Sequence, residues 1–127
     1  MDSAAPTPPV IFQALLGEAI DCAEIGVSVY DDDGRLIAVN EQATAVLGES
    51  RDELLKRDVA DFTDGGIDRT VLFNNELREG VRLVHRKDGS AVPVAFVVAP
   101  TRVAKLAYFV ALYWELPPDD PRSRDAV

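Results

Sequence analysis

Between Gly26 and Gly48 the chain reads GVSVYDDDGRLIAVNEQATAVLG, and few folds accommodate that order of local signals. Val27 and Val29 alternate with smaller or polar neighbours as in a short strand, an acidic turn closes at Gly34, and Leu36 to Val39 forms a second β-rich run. Asp-Gly between two such runs is a hairpin signal, because glycine accepts the positive φ that the turn demands. Asn40 suits a helix N-cap, since its side-chain oxygen can take a free amide of the first turn. Gly48 suits the matching C-cap. The stretch therefore predicts strand, tight turn, strand, capped helix and stop.

The same vocabulary continues downstream. In ESRDELLKRD, Ser50 with Glu53 three residues later is a capping box and predicts a second short helix. Residues Ile67 to Glu79 suit a longer helix. VRLVHRKDGSAVPVAFVVAP reads as two strands around the turn Lys87-Asp88-Gly89-Ser90, and Lys105 to Leu116 supplies a final strand. Two Asp-Gly hairpins flanking a helical middle, in this order and spacing, resemble a PAS sensor domain over roughly residues 10 to 116. The resemblance implies an α+β fold: a five-stranded antiparallel sheet with short helices on one face and a leading helix on or beside the other.

Size and composition agree with one such domain. The chain has 127 residues, enough for a single modest core. Its formal net charge of -9 argues against nucleic acid as a main partner, because phosphate contacts need a basic face. The positive residues Arg82, Arg86 and Lys87 read as charged strand ends. No run approaches the roughly 18 apolar residues of a membrane span. The lone Cys22 excludes an intrachain disulfide and suits a reducing compartment, so a cytoplasmic location away from membranes is expected. Residues 1–9, MDSAAPTPP, and 117–127, PPDDPRSRDAV, lack periodicity and are expected to be a disordered leader and tail around the domain at 10–116.

Both faces of the sheet read as covered. Strands buried on two sides are near-continuous apolar runs, and Leu106 to Leu116 is such a run. Leaving Val110, Leu112 and Trp114 wet would forgo about 2 kcal/mol each. From Val10 to Cys22 the apolar residues Ile11, Leu15, Ala19 and Cys22, widened by Phe12, Leu16 and Ile20, form an amphipathic helix. That helix, a second copy of the sheet, or both must provide the cover, and a homodimer is expected.

Catalytic and metal chemistry find little support. Asp31, Asp32 and Asp33 form an acidic turn without the spaced oxygens of a calcium loop. Thr63-Asp64-Gly65-Gly66 lacks the Lys and Ser or Thr of a phosphate loop. No enzyme is read here. The flavin-binding PAS branch carries its cysteine in an Asn-Cys-Arg-Phe-Leu-Gln block, whereas the matching region here is Arg57 to Phe62 without cysteine. Cys22 reads instead as a small buried side chain. Haem-binding relatives place a histidine on the long helix, whereas the single His85 falls in a strand and, by the resemblance, points outward beside Leu83. Haem and flavin are therefore not expected.

What the resemblance does imply is an internal pocket. From the first hairpin and the helices it would take Tyr30, Leu55, Phe62 and Leu72. From the last three strands it would take Arg82, Val84, Val94, Phe96, Phe109, Ala111 and Tyr113. Such a wall suits an apolar small molecule, a fatty acid or similar carboxylate of about eight to ten carbons, with Arg82 or a tyrosine hydroxyl to hold its head. The sequence supports two functions equally: a sensor binding such a molecule and signalling through dimerisation or a protein partner, and a ligand-free dimerisation or scaffolding module with a packed core.

Overall fold

In the computed structural model, residues 9–62 and 76–126 are described. A leading helix α1 (Pro9–Asp21) is followed by strands β1 (Gly26–Asp31) and β2 (Leu36–Val39), then helices α2 (Glu41–Leu47) and α3 (Arg51–Leu54). A 3-10 turn (Val59–Phe62) precedes strands β3 (Arg78–His85), β4 (Ala91–Val103) and β5 (Leu106–Glu115). The strands form one antiparallel sheet in the order β2-β1-β5-β4-β3. The inner face carries the core, where Tyr30 stacks on Phe109 with ring centroids 5.2 Å apart and Ala43, Val46, Leu47 and Leu54 pack from the helices.

The local signals act as their chemistry dictates. Gly34 and Gly89 both have φ of +90° in the two hairpin turns. In the first turn the Asp31 carboxylate takes the amides of Asp33 and Arg35; in the second, Asp88 takes the amide and hydroxyl of Ser90. Ser50 and Glu53 cap α3 reciprocally. Gly48 closes α2 in the left-handed region, and the Arg86 side chain runs past it to donate to the Val46 carbonyl at 2.9 Å. Lys87 meets Glu53 at 2.6 Å, so the second hairpin turn is tied to both helices.

Asn40 does more than cap α2. Its Oδ1 accepts from the amides of Ala43 (3.0 Å) and Val27 (2.8 Å), while its Nδ2 donates to the carbonyls of Ile20 (2.8 Å) and Ile25 (2.9 Å). The residue is buried, and these four bonds exhaust an amide's ordinary capacity. One side chain thus joins the end of α1, the start of β1 and the start of α2.

Several expectations need correction. Arg78 and Glu79, read as the end of a helix, begin β3; the remainder of that expected helix lies outside the described residues. Leu77, Arg78 and Glu79 are helix formers by propensity, but pairing of Arg78 with Val98 and Glu79 with Val97 on the long β4 overrides it. Lys105 belongs to the β4–β5 turn and not to the strand: Ala104 and Lys105 have φ of 51° and 69°, so a two-residue turn is made there without glycine or asparagine. Of the leader 1–9, residues 1–8 lie outside the described residues and Pro9 begins α1. The tail, expected without structure, takes a 3-10 turn at Pro121–Asp125, where the Asp120 carboxylate caps the Arg122 amide and holds its guanidinium. Cys22 is exposed, not buried, because it falls just past the end of α1.

The leading helix forms as expected but does not cover the outer face of its own sheet. Val10, Ile11, Leu15, Leu16 and Ile20 are all exposed, between 40% and 71%. On the outer face Val110 and Trp114 are half-buried and Leu112 is exposed.

Two stability predictions follow. Asp is as good an N-cap as Asn, yet Asn40→Asp strips the donors from Ile20 and Ile25 and sets a carboxylate against two carbonyls. It should cost about 2 kcal/mol or more in denaturant unfolding; a cost near zero would reduce Asn40 to a simple cap. At the turns, alanine at either glycine incurs about 1 kcal/mol for the left-handed backbone. A Cβ at Gly34 would also lie 2.9 Å from the Asp58 carboxylate, while one at Gly89 meets open space. Gly34→Ala should therefore lower the melting temperature more than Gly89→Ala.

Candidate functional site

The inner sheet face bears a partly open cavity of about 120 Å³ against the helical side of the molecule. Its walls follow from the alternation of each strand. Ser28 and Tyr30 come from β1, Ala111 and Tyr113 from β5, Val94, Phe96 and Val98 from β4, and Arg78, Arg82 and Val84 from β3. Leu36 of β2, Leu47 at the end of α2, and Val59 and Phe62 of the 3-10 turn complete the described wall.

The opening arises from one cross-strand row. Gly26, Tyr113, Phe96 and Gly80 sit side by side across β1, β5, β4 and β3. A Cβ on Gly26 would stand 2.6 Å from Cε2 of Tyr113, and one on Gly80 would stand 3.1 Å from Cζ of Phe96. Each aromatic ring therefore occupies the space over its glycine neighbour. The two rings lean apart toward opposite edges of the sheet, and the inner face is left unfilled between them.

Polar groups in the wall are few. Ser28 Oγ and Tyr113 Oη share a buried hydrogen bond of 2.6 Å. Burial pushes the Tyr113 hydroxyl up to about 12, with the Ser28 bond pulling partly back. Burial also raises the Tyr30 hydroxyl, opposed by the neighbouring Arg78 guanidinium. Both phenols thus stay neutral near pH 7. Among the described wall residues only Arg78 and Arg82 carry charge. Arg78 reaches over the sheet to Tyr30, with Nη2 3.4 Å from Oη.

Of the residues expected in a pocket, Tyr30, Phe62, Arg82, Val84, Val94, Phe96, Ala111 and Tyr113 line this cavity. Phe109 lies in the core, stacked on Tyr30, and is not part of the cavity wall. Leu55 is 40% exposed. It caps the single turn of α3, so Leu54, one position earlier, takes the buried place. Leu72 lies outside the described residues. His85 is half-buried on the face of β3 opposite Val84.

Sequence reasoning missed Ser28, Leu36, Leu47, Val59, Val98 and above all Arg78. The period-two series Arg78, Gly80, Arg82, Val84 was the signal for the last, hidden by helix-forming neighbours. A cavity of roughly 150 Å³ admits benzene, so the described space of about 120 Å³ is on the scale of a single ring.

Gly80→Ala tests the origin of the cavity. The new methyl pushes Phe96 back over the open space, while exchanging glycine for alanine in a strand interior favours folding by about 0.5 kcal/mol. We expect an unchanged or higher melting temperature together with lower xenon occupancy in pressurised crystals. An unmoved Phe96 ring and undiminished xenon would refute the splayed-ring account.

Comparison with known proteins agrees with this architecture. No curated protein matches the sequence. Among solved structures, the PAS domain of an HTR-like protein from Haloarcula marismortui is 24% identical, with a TM-score of 0.74 over 84% of this chain and 93% of that one. A PAS domain from a two-component sensor histidine kinase is 13% identical, with a TM-score of 0.77 over 86% of this chain and 100% of that one. The PAS domain of a protein from Colwellia psychrerythraea is 15% identical, with a TM-score of 0.72 over 83% and 97%. At such identities the likeness speaks for the fold alone. The family itself is shown by sequence: the PAS domain model matches residues 24–112, from the approach to β1 into β5, and the chain belongs to the PAS domain family.

Proposed function

We propose that this PAS domain, a member of a family of sensory and interaction modules, binds an apolar small molecule bearing a carboxylate in its inner cavity. Its output would be self-association or contact with a protein partner in the cytoplasm, without catalysis. The observation that carries the reading is the cavity itself: an apolar wall with a few convergent polar groups is the usual form of a small-molecule site. Here the wall is lined by aliphatic and aromatic side chains with Arg78 and Arg82 among them. No helix of the described residues is long and apolar enough to cross a membrane.

The exposed apolar stripe of α1 and the apolar outer sheet face support assembly as a homodimer. Val10, Leu15 and Leu16 are each more than half exposed, and a contiguous apolar patch of this kind marks an interaction surface. That observation holds with or without a ligand, and so it also favours the second reading, a dimerisation or scaffolding module.

Native mass spectrometry of protein purified from cells, followed by solvent extraction, separates the two. An adduct that disappears on extraction supports the sensor; a bare mass, with no compound in a small-molecule library raising the melting temperature, leaves the scaffold. For assembly, sedimentation at high micromolar concentration should give a dimer, and Leu112→Glu should shift it toward monomer or aggregate. A monomeric wild type would overturn the self-association reading.

A further inference from the structure

The chain carries 22 acidic residues against 13 basic ones, so carboxylate partners for arginine are plentiful. Five of the nine described arginines find one, and Arg102 and Arg124 stay exposed at the surface. Arg35 pairs with Asp31 and Asp33, Arg51 with Asp21, Arg57 with Glu49, Arg86 with Glu115 and Arg122 with Asp120. Arg78 and Arg82, the two that line the cavity, have no ion pair among the described residues.

Their placement sharpens the contrast. Both lie on the inner face of β3, on either side of Gly80, with the Phe96 ring resting over that glycine. Arg78 Nε is shut off from solvent and has no hydrogen-bond partner. Among the described residues, a long contact from Nη2 to the Tyr30 hydroxyl is the bond its guanidinium makes. Leaving a buried N–H of a charged group unsatisfied is costly, and such groups in native proteins ordinarily have a partner. The described wall holds no carboxylate, and a bound ligand can supply one.

Resting on the small-molecule reading above, we propose that the cavity recognises a compact monocarboxylate, a single-ring aryl acid or a short branched acid. Arg78 is the principal head-group residue and Arg82 the second donor. A carboxylate offers two oxygens in the plane and spacing of the guanidinium fork, so it can meet two nitrogens of Arg78 side by side once the side chain turns to it. The neutral Tyr30 hydroxyl adds a further hydrogen bond. The body of the acid lies against Phe96 and Val98, within a volume of about 120 Å³, on the scale of one ring.

The test uses full-length protein stripped of any co-purified compound. Benzoate, benzamide, phenyl phosphate and decanoate are titrated calorimetrically near pH 7, where benzoate is fully ionised. Benzoate should bind about tenfold or more tightly than its neutral isostere benzamide, the value of a charge-assisted hydrogen bond to a fixed cation. It should also outcompete phenyl phosphate and decanoate. Arg78→Met should remove that preference and leave benzoate and benzamide equally weak, whereas Arg82→Met should reduce it only in part.

Equal binding of benzoate and benzamide to the wild type overturns the head-group assignment while the small-molecule reading stands. So does tighter binding of phenyl phosphate or decanoate, or an Arg78→Met variant that keeps the preference. Failure of all four probes to bind overturns this proposal, and a negative extraction in addition overturns the small-molecule reading. The benzoate and benzamide comparison on wild-type protein decides the matter even if Arg78→Met does not fold.

Discussion

The architecture hangs on the amide of Asn40. A helix that ends, a strand that begins and a second helix that begins all present backbone groups with no partner of their own. One buried side chain meets four of them at 2.8 to 3.0 Å. Because its oxygen and nitrogen face different elements, the side chain sets where α1 leaves the domain and where α2 starts across the inner face. The cavity wall formed by Ser28, Tyr30 and Leu47 inherits its position from that junction. Water is an inferior substitute in such a place, since the site is closed and each lost partner leaves a buried polar group unmet.

The cavity comes from an absence of side chains as much as from their presence. A sheet face bearing Tyr113 and Phe96 side by side would ordinarily fill itself. Glycines at both ends of the row let each ring lie outward instead, and the interior is left with space that no described side chain occupies. Close packing is the rule in protein cores, and voids forgo dispersion contacts. A cavity sustained by the same row that carries its aromatic walls is therefore a feature of the fold, not a local flaw. Arg78 and Arg82 stand beside it with no ion pair among the described residues.

The outer surface reads differently. Helix α1 presents its apolar residues to solvent, and β5 does the same with Leu112. Within a single chain nothing among the described residues shields that helix stripe. The link between α1 and the domain is polar and narrow: Asn40 on the Ile20 carbonyl and Arg51 on Asp21 at 2.6 Å. The helix is thus tethered at one end, with an apolar face exposed among the described residues.

Read alone, the sequence determined whatever depends on neighbours within a few residues. The turns at Gly34 and Gly89 and the caps at Asn40, Gly48 and Ser50 all rest on local sterics and short-range hydrogen bonds. With the family resemblance they were enough to anticipate the five-stranded sheet and most of the cavity wall. Tertiary structure decided the rest. Arg78 reads as helix from its neighbours and becomes strand only because β4 extends far enough to pair with it. Ala104 and Lys105 take positive φ only because the two strands they join are already aligned. Leu55 loses its inward place to Leu54 because α3 lasts a single turn. The width of the cavity depends on which way two rings lean, and that is set across four strands by Gly26 and Gly80, far apart in sequence. Local chemistry names the elements, but the space between them and the charges left unpaired within it exist only once long-range contacts have formed.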